Sequence, residues 1–136
     1  MTSVERLVLD TSAYTHLRAG HSRTLDCVAA ARVVVVPVTV LGELEAGFEL
    51  GRRPVENRRV LAQFLDEPFV NVLDVTSITA RHYARIFATL RRAGTPIPLN
   101  DVWIAAATVE CSGHLLTFDR DYSRITELDH TLLDVS

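Results

Sequence analysis

Lysine is absent from this chain: all 14 basic residues among its 136 are arginine. That excludes chemistry built on a lysine amine, such as a Schiff base or the phosphate lysine of a Walker A loop. Cysteine occurs only at 27 and 111. The two have no spacing, with each other or with histidine, that suggests a disulfide framework or a zinc site, and a reducing compartment is expected. No long hydrophobic run is present. The β-branched run Val33 to Val36, with Pro37 and Val38 behind it, is far too short to span a bilayer. The opening Met-Thr-Ser-Val-Glu-Arg has no basic segment followed by an apolar one, so no signal peptide is expected. A cytoplasmic protein without a membrane segment is the expectation. A basic excess is missing too: the net charge of -3 argues against a generally basic nucleic-acid binder.

The length fits one domain, residues 1–136, and a hydrophobic content of 48% suffices for a real core. Short β-branched or apolar strands are expected at 6–10, 33–36, 69–73, 115–117 and 131–135. Between them lie helical segments at about 11–20 and 21–31, then from Thr39 to Leu50, from Pro54, from Thr76 to Gly94 and from Asn100 to Gly113. Thr11 or Ser12, Thr39 and Asn100 read as N-caps. Strands alternating with helices predict an α/β fold, a parallel sheet in a three-layer α/β/α sandwich.

Ligands of such sheets bind beyond the carboxyl ends of the strands. Four acids fall at that edge. Asp10 closes the first strand, Glu43 lies in the first turns of the helix after the second, Asp101 starts the helix before the fourth, and Asp119 follows the fourth. Each has an ordinary alternative. Asp10 can simply cap a helix, Glu43 is not distinguished by composition from Glu45 or Glu49, and Asp119 competes with Asp121 within one turn. Asp74 also ends a strand without supporting context. Crowded together, such carboxylates repel one another and their pKa values rise unless a cation sits among them, whereas the helix dipole at Asp101 favours its ionised form. Hard oxygen ligands suit Mg²⁺ or Mn²⁺.

The order of four segments is more specific than any one of them. Asp10-Thr-Ser, Thr-Val-Leu-Gly-Glu-Leu-Glu-Ala-Gly at 39–47, Asn-Asp-Val-Trp-Ile-Ala-Ala-Ala at 100–107, and Leu-Leu-Thr-Phe-Asp-Arg-Asp-Tyr at 115–122 together resemble the PIN-domain ribonucleases. The chain is most similar to the VapC toxins of bacterial toxin–antitoxin pairs, over essentially its whole length. The resemblance implies a metal-dependent endoribonuclease that inhibits growth by hydrolysing RNA, leaving a 5′-phosphate and a 3′-hydroxyl. It assigns Asp10, Glu43, Asp101 and Asp119 as catalytic. Asp10 and Asp101 would ligate Mg²⁺ or Mn²⁺, with Glu43 and Asp119 completing the cluster directly or through water. Asp119 matches the family's last acid better than Asp121. Thr11 and Thr117 are candidates for hydrogen-bonding to the acids, and Arg52, Arg53 and Arg120 for contacting RNA.

Two protein partners are also implied, a second copy forming a homodimer and a small antitoxin. The antitoxin's groove would draw on Tyr14, Leu17, Leu41, Leu44 and Phe48. The five histidines are scattered and suggest surface or interface roles. The alternatives are a non-catalytic PIN-fold module binding RNA or protein, and a phospho-acceptor or phosphatase domain, which the missing lysine disfavours.

Overall fold

The computed structural model describes residues 3–135. In chain order its elements are β1 (Val4–Leu9), α1 (Thr11–Arg18), α2 (Ser22–Ala30), β2 (Ala31–Pro37), α3 (Val38–Leu50), α4 (Pro54–Leu65), β3 (Val70–Leu73), α5 (Ser77–Ala93), α6 (Leu99–Glu110), β4 (His114–Thr117), a 3-10 turn (Arg120–Arg124) and β5 (His130–Leu132). The five strands form one sheet in the order β3-β2-β1-β4-β5, every pair parallel. The expected α/β class and parallel sheet are what the chain forms.

The strand sequences explain the middle of the sheet. Leu7, Val8 and Leu9 are buried in succession, as are Val34, Val35 and Val36, and Leu115, Leu116 and Thr117. Continuous burial of both alternating faces belongs to a sheet covered on each side. Helix α6 is apolar around most of its circumference, with Val102, Ile104, Ala105, Ala106 and Ala107 all buried. Its small residues let it lie close to its neighbours, as a helix without a polar face must. On its outer side Trp103 stacks on Tyr83 of α5, ring centroids 4.1 Å apart.

Three expected caps are corrected. Neither Thr11 nor Ser12 caps α1; the cap is Asp10, whose carboxylate accepts from the Ala13 N–H. Thr39 lies inside α3, which starts directly after Pro37. Asn100 is the second residue of α6, whose N-cap is Pro98 and has no side-chain cap bond. In α3 and α6 a proline ends the preceding segment with its fixed φ, so the helix begins one or two residues before the polar side chain. Thr76, Pro54 and Gly94 act as expected, the last in the left-handed region at φ 72°.

The turn from α6 to β4 is tight. Ser112 sits at φ 54°, and a Cβ on Gly113 would meet Val8 Cγ2 at 2.7 Å. Here glycine is required by contact with the central strand rather than by its φ.

Strand order reverses direction between β1 and β4. Their carboxyl ends, carrying Asp10 and Thr117, therefore open on the crevice where ligands bind in such sheets.

Candidate metal centre

Asp10 is nearly buried, with 4% exposure, and is held from three directions. The Ser12 hydroxyl and the Ala13 N–H donate to Oδ1 at 2.7 and 2.8 Å, and the Thr117 hydroxyl donates to Oδ2 at 2.5 Å. Thr117 Oγ1 also accepts from the Asp119 N–H at 2.9 Å, so one buried hydroxyl joins two of the acids. Burial raises the Asp10 pKa, the three hydrogen bonds oppose the rise, and the charge of Asp119 adds to it.

Asp101, in the first turn of α6, is pushed up to about 6. Burial is the main cause; Asp119, Glu43 and Asp10 contribute repulsion, and a hydrogen bond from Tyr122 works the other way. The rise expected of crowded carboxylates is present at Asp101, despite a helix dipole that favours its charged form. Loss of hydration and three like charges outweigh a dipole effect worth only ~0.3–1 kcal/mol at an exposed site.

Glu43 is separated from its neighbours by its contacts. The Thr11 hydroxyl donates to Oε1 at 2.5 Å and the Asn100 amide to Oε2 at 3.3 Å, tying α3 to the starts of α1 and α6. Glu45 and Glu49 turn away and pair with Arg58 of α4, at 2.7 and 3.0 Å. Asp74 is exposed and makes no hydrogen bond or ion pair among the described residues.

Asp119 and Asp121 do not exclude one another. Asp119 Oδ1 caps the 3-10 turn by accepting from the Asp121 N–H, and carboxylate oxygens of Asp101, Asp119 and Asp121 all lie within 4.8 Å of one another. The nearest cation to this trio, Arg124, stands 3.6 Å from Asp121. A cluster of oxygen donors in which neighbouring carboxylates push Asp101 up, with no cation between them among the described residues, fits a small divalent ion.

Several site neighbours were not singled out from sequence. Ser12 both donates to Asp10 and accepts from the Phe118 N–H at 3.1 Å. Asn100 reads as a cap but serves Glu43. Tyr122 is 1% exposed, and its hydroxyl donates to Asp101 Oδ1 at 3.0 Å. The phenol's own pKa is raised, chiefly by burial, so it stays protonated. Ser12 carried a local signal, a hydroxyl two residues after an acid at a strand end. Tyr122 carried none.

The arginines are dispersed. Arg120 is exposed beside Asp119, while Arg52 and Arg53 sit exposed in the turn between α3 and α4, without a hydrogen bond or ion pair to the acids among the described residues. Tyr14, Leu44 and Phe48 line a depression of about 310 Å³ together with Arg18, Asn57 and Val60. Leu17 and Leu41 are instead partly buried against the core.

With this geometry in view, comparison with known proteins is decisive. The family model described as the PIN domain matches residues 7–128. This chain belongs to the PIN-domain family. Ribonuclease VapC4 of Mycobacterium tuberculosis is 30% identical to it over 94 residues, 69% of this chain and 72% of that protein. Among solved structures, VapBC-1 from nontypeable Haemophilus influenzae superposes with a TM-score of 0.82 at 25% identity, covering 93% of this chain and 97% of that one. VapBC2 from Rickettsia felis, solved with a DNA fragment from its promoter, reaches 0.84 at 20% identity, covering 95% and 99%. That last likeness speaks to the PIN fold alone. The first shows that the relationship extends to the VapC ribonucleases.

Proposed function

We propose that this chain, as one nuclease domain over 1–136, is an endoribonuclease toxin of a toxin–antitoxin pair that uses Mg²⁺ or Mn²⁺ to hydrolyse RNA phosphodiester bonds. The observation that carries the reading is the convergence of Asp101, Asp119 and Asp121 within 4.8 Å at the strand-order reversal, with Asp10 fixed behind them. Membership of the PIN-domain family and the similarity to a VapC ribonuclease support it.

Asp10, Glu43, Asp101 and Asp119 are the catalytic acids. Asp10 and Asp101 would hold the metal directly, Glu43 and Asp119 directly or through water, and the position of Asp121 adds it to the donors. A bound divalent ion supplies hydroxide from water near neutral pH and offsets charge developing on the phosphate. The chain's own residues prepare that site. Ser12, Ala13 and Thr117 fix both oxygens of Asp10; Thr11 and Asn100 hold Glu43; Tyr122 holds Asp101 and favours its charged form. Because these donors already point at the carboxylates, little reorganisation is left for the moment of binding. The acidic edge by itself repels RNA, and Arg120, with Arg52 and Arg53, would supply the positive charge that meets the phosphates.

The partners follow from the same reading: a small antitoxin seated on the depression lined by Tyr14, Leu44 and Phe48, and a second copy of the chain. The setting is the cytoplasm; no described helix is long and apolar enough to cross a membrane.

The test is cleavage of RNA by the purified, antitoxin-free protein. Fragments with 5′-phosphate ends are expected with Mg²⁺ or Mn²⁺, and none with EDTA or after Asp101→Asn. Inactivity with every divalent metal would leave a non-catalytic binding module as the better reading.

A further inference from the structure

A cleft of about 330 Å³ opens between Phe118 and Arg120 on one side and residues 132–135 on the other. Phe118 and Arg120 flank Asp119 in sequence, so the cleft begins one residue from a carboxylate of the cluster. We propose that it is a nucleotide subsite, in which one unpaired nucleotide of the RNA, next to the scissile bond, lays its base on Phe118 and its phosphate against Arg120. This deepens the ribonuclease reading and rests on it.

The wall is built rather than incidental. The ring of Phe118 is stacked on His16, centroids 3.8 Å apart and planes 17° from parallel, and meets His21 edge-on at 5.1 Å. His16 is itself anchored, its Nδ1–H donating to the Ser12 carbonyl at 2.9 Å. The Phe118 N–H donates to Ser12 Oγ, the same hydroxyl that donates to Asp10. The aromatic surface and a catalytic carboxylate are thus fixed by one serine.

His21 also braces the opposite wall. Its Nε2–H donates to the Asp134 carbonyl at 3.1 Å, while its Nδ1 accepts from the Thr24 N–H to cap α2. Both sides of the cleft are therefore tied to the two histidines before any ligand arrives, which lowers the ordering cost of binding.

The contents of the cleft match a nucleotide. Arg120 is its single cation and makes no hydrogen bond or ion pair among the described residues, so it is available to a phosphate, whereas Asp134, the one acid lining the cleft, is already engaged. A planar base has a π-face for an aromatic ring whatever its identity, and single-stranded RNA is held by such stacking together with arginine.

The experiment starts from wild-type protein and a short single-stranded RNA spanning one mapped cut. Cleavage of that RNA establishes the nuclease reading independently; its absence removes that reading and the subsite with it. Abasic ribonucleotides are then placed one at a time on either side of the cut. One flanking position is expected to lose roughly tenfold in kcat/KM, the scale of one base–aromatic stack. In Phe118→Leu the intact RNA already shows that loss, and the abasic change at that position costs nothing further. Arg120→Gln, at an exposed position that leaves the fold undisturbed, is expected to raise KM several-fold with kcat retained. If Phe118→Leu fails to fold, the wild-type abasic scan and Arg120→Gln still decide. A flat scan alongside normal cleavage overturns the proposal. So does a pair of variants that cut normally but lose self-association or antitoxin binding, because the cleft is then a protein contact.

Discussion

The Tyr122 hydroxyl donates to Asp101 Oδ1 at 3.0 Å from a side chain with 1% of its surface exposed. The bond favours the charged carboxylate, opposing the burial and the neighbouring acids that push Asp101 up to about 6. Tyr122→Phe removes the donor while keeping the ring in the core. The Asp101 pKa should then rise further, measured by carboxyl NMR titration of metal-free protein, and the acid limb of the pH–rate profile should move to higher pH. An unchanged titration would mean that the bond does not bias Asp101.

Asp101 makes the metal-free protein less stable as pH rises. Its ordinary value is 3.8 and its folded value about 6, so in that interval the folded chain keeps a proton that the unfolded chain has released. The unfolded state binds fewer protons, stability falls as pH rises through the window, and the loss persists above it. Asp101→Asn should therefore raise Tm at about pH 7.5 and less so at about pH 5, while abolishing cleavage. Mg²⁺ should raise the wild-type Tm at neutral pH and have a smaller effect on the variant. A lower Tm for the variant at neutral pH would contradict the electrostatic account.

Thr117→Val keeps the shape of a fully buried side chain but withdraws the donor to Asp10 Oδ2 and the acceptor for the Asp119 N–H. Leaving buried polar groups unpaired costs about 1–3 kcal/mol each. Urea unfolding should show a loss of that order, and cleavage should fall more steeply than stability because two acids lose their common anchor.

Glu43 and Glu45 are two residues apart on α3 yet belong to different environments. Glu43→Gln should depress cleavage at least tenfold, an order of magnitude typical of a misplaced catalytic group. Glu45→Gln breaks only a half-exposed pair with Arg58 and should leave stability nearly unchanged and activity intact. Equal activity in the two variants would remove Glu43 from the site.

Gly113→Ala places a Cβ 2.7 Å from Val8 Cγ2 and 3.0 Å from Cys111 Sγ. Overpacking of this kind costs about 1–3 kcal/mol. Calorimetry should show a lower Tm, with the cleavage rate per folded molecule retained.

The sequence made the parallel sheet legible because its strands are short apolar runs with buried neighbours on both sides, and Val33 to Val36 is an example. The gathering of Asp10, Asp101 and Asp119 was legible for a related reason: each lies just past a strand end or at a helix start, where topology alone sends it to one edge. Caps were harder to read. Pro37 and Pro98 fix the starts of α3 and α6, so Thr39 and Asn100 fell inside helices although their side chains are good caps elsewhere. The choice of Glu43 over Glu45 depended on helix phase, which only the packing of α3 against α1, α4 and α6 defines. Tyr122 was hidden because its role comes from a turn that brings it back under Asp101, 21 residues earlier. The paired histidines at 16 and 21 looked scattered because their common contact, Phe118, lies far along the chain.

The bond from Thr117 to Asp10 spans 107 residues, and β4 is β1's direct neighbour in the sheet. A contact so distant in sequence carries the closure entropy of the whole intervening chain. A growing polypeptide can therefore expose Asp10 and Glu43 long before it holds anything able to cut. Nuclease competence cannot arrive before β4 has been made and has paired with β1. Synthesis of a protein that destroys RNA thus carries a built-in delay, set by the position of β4 near the end of the fold.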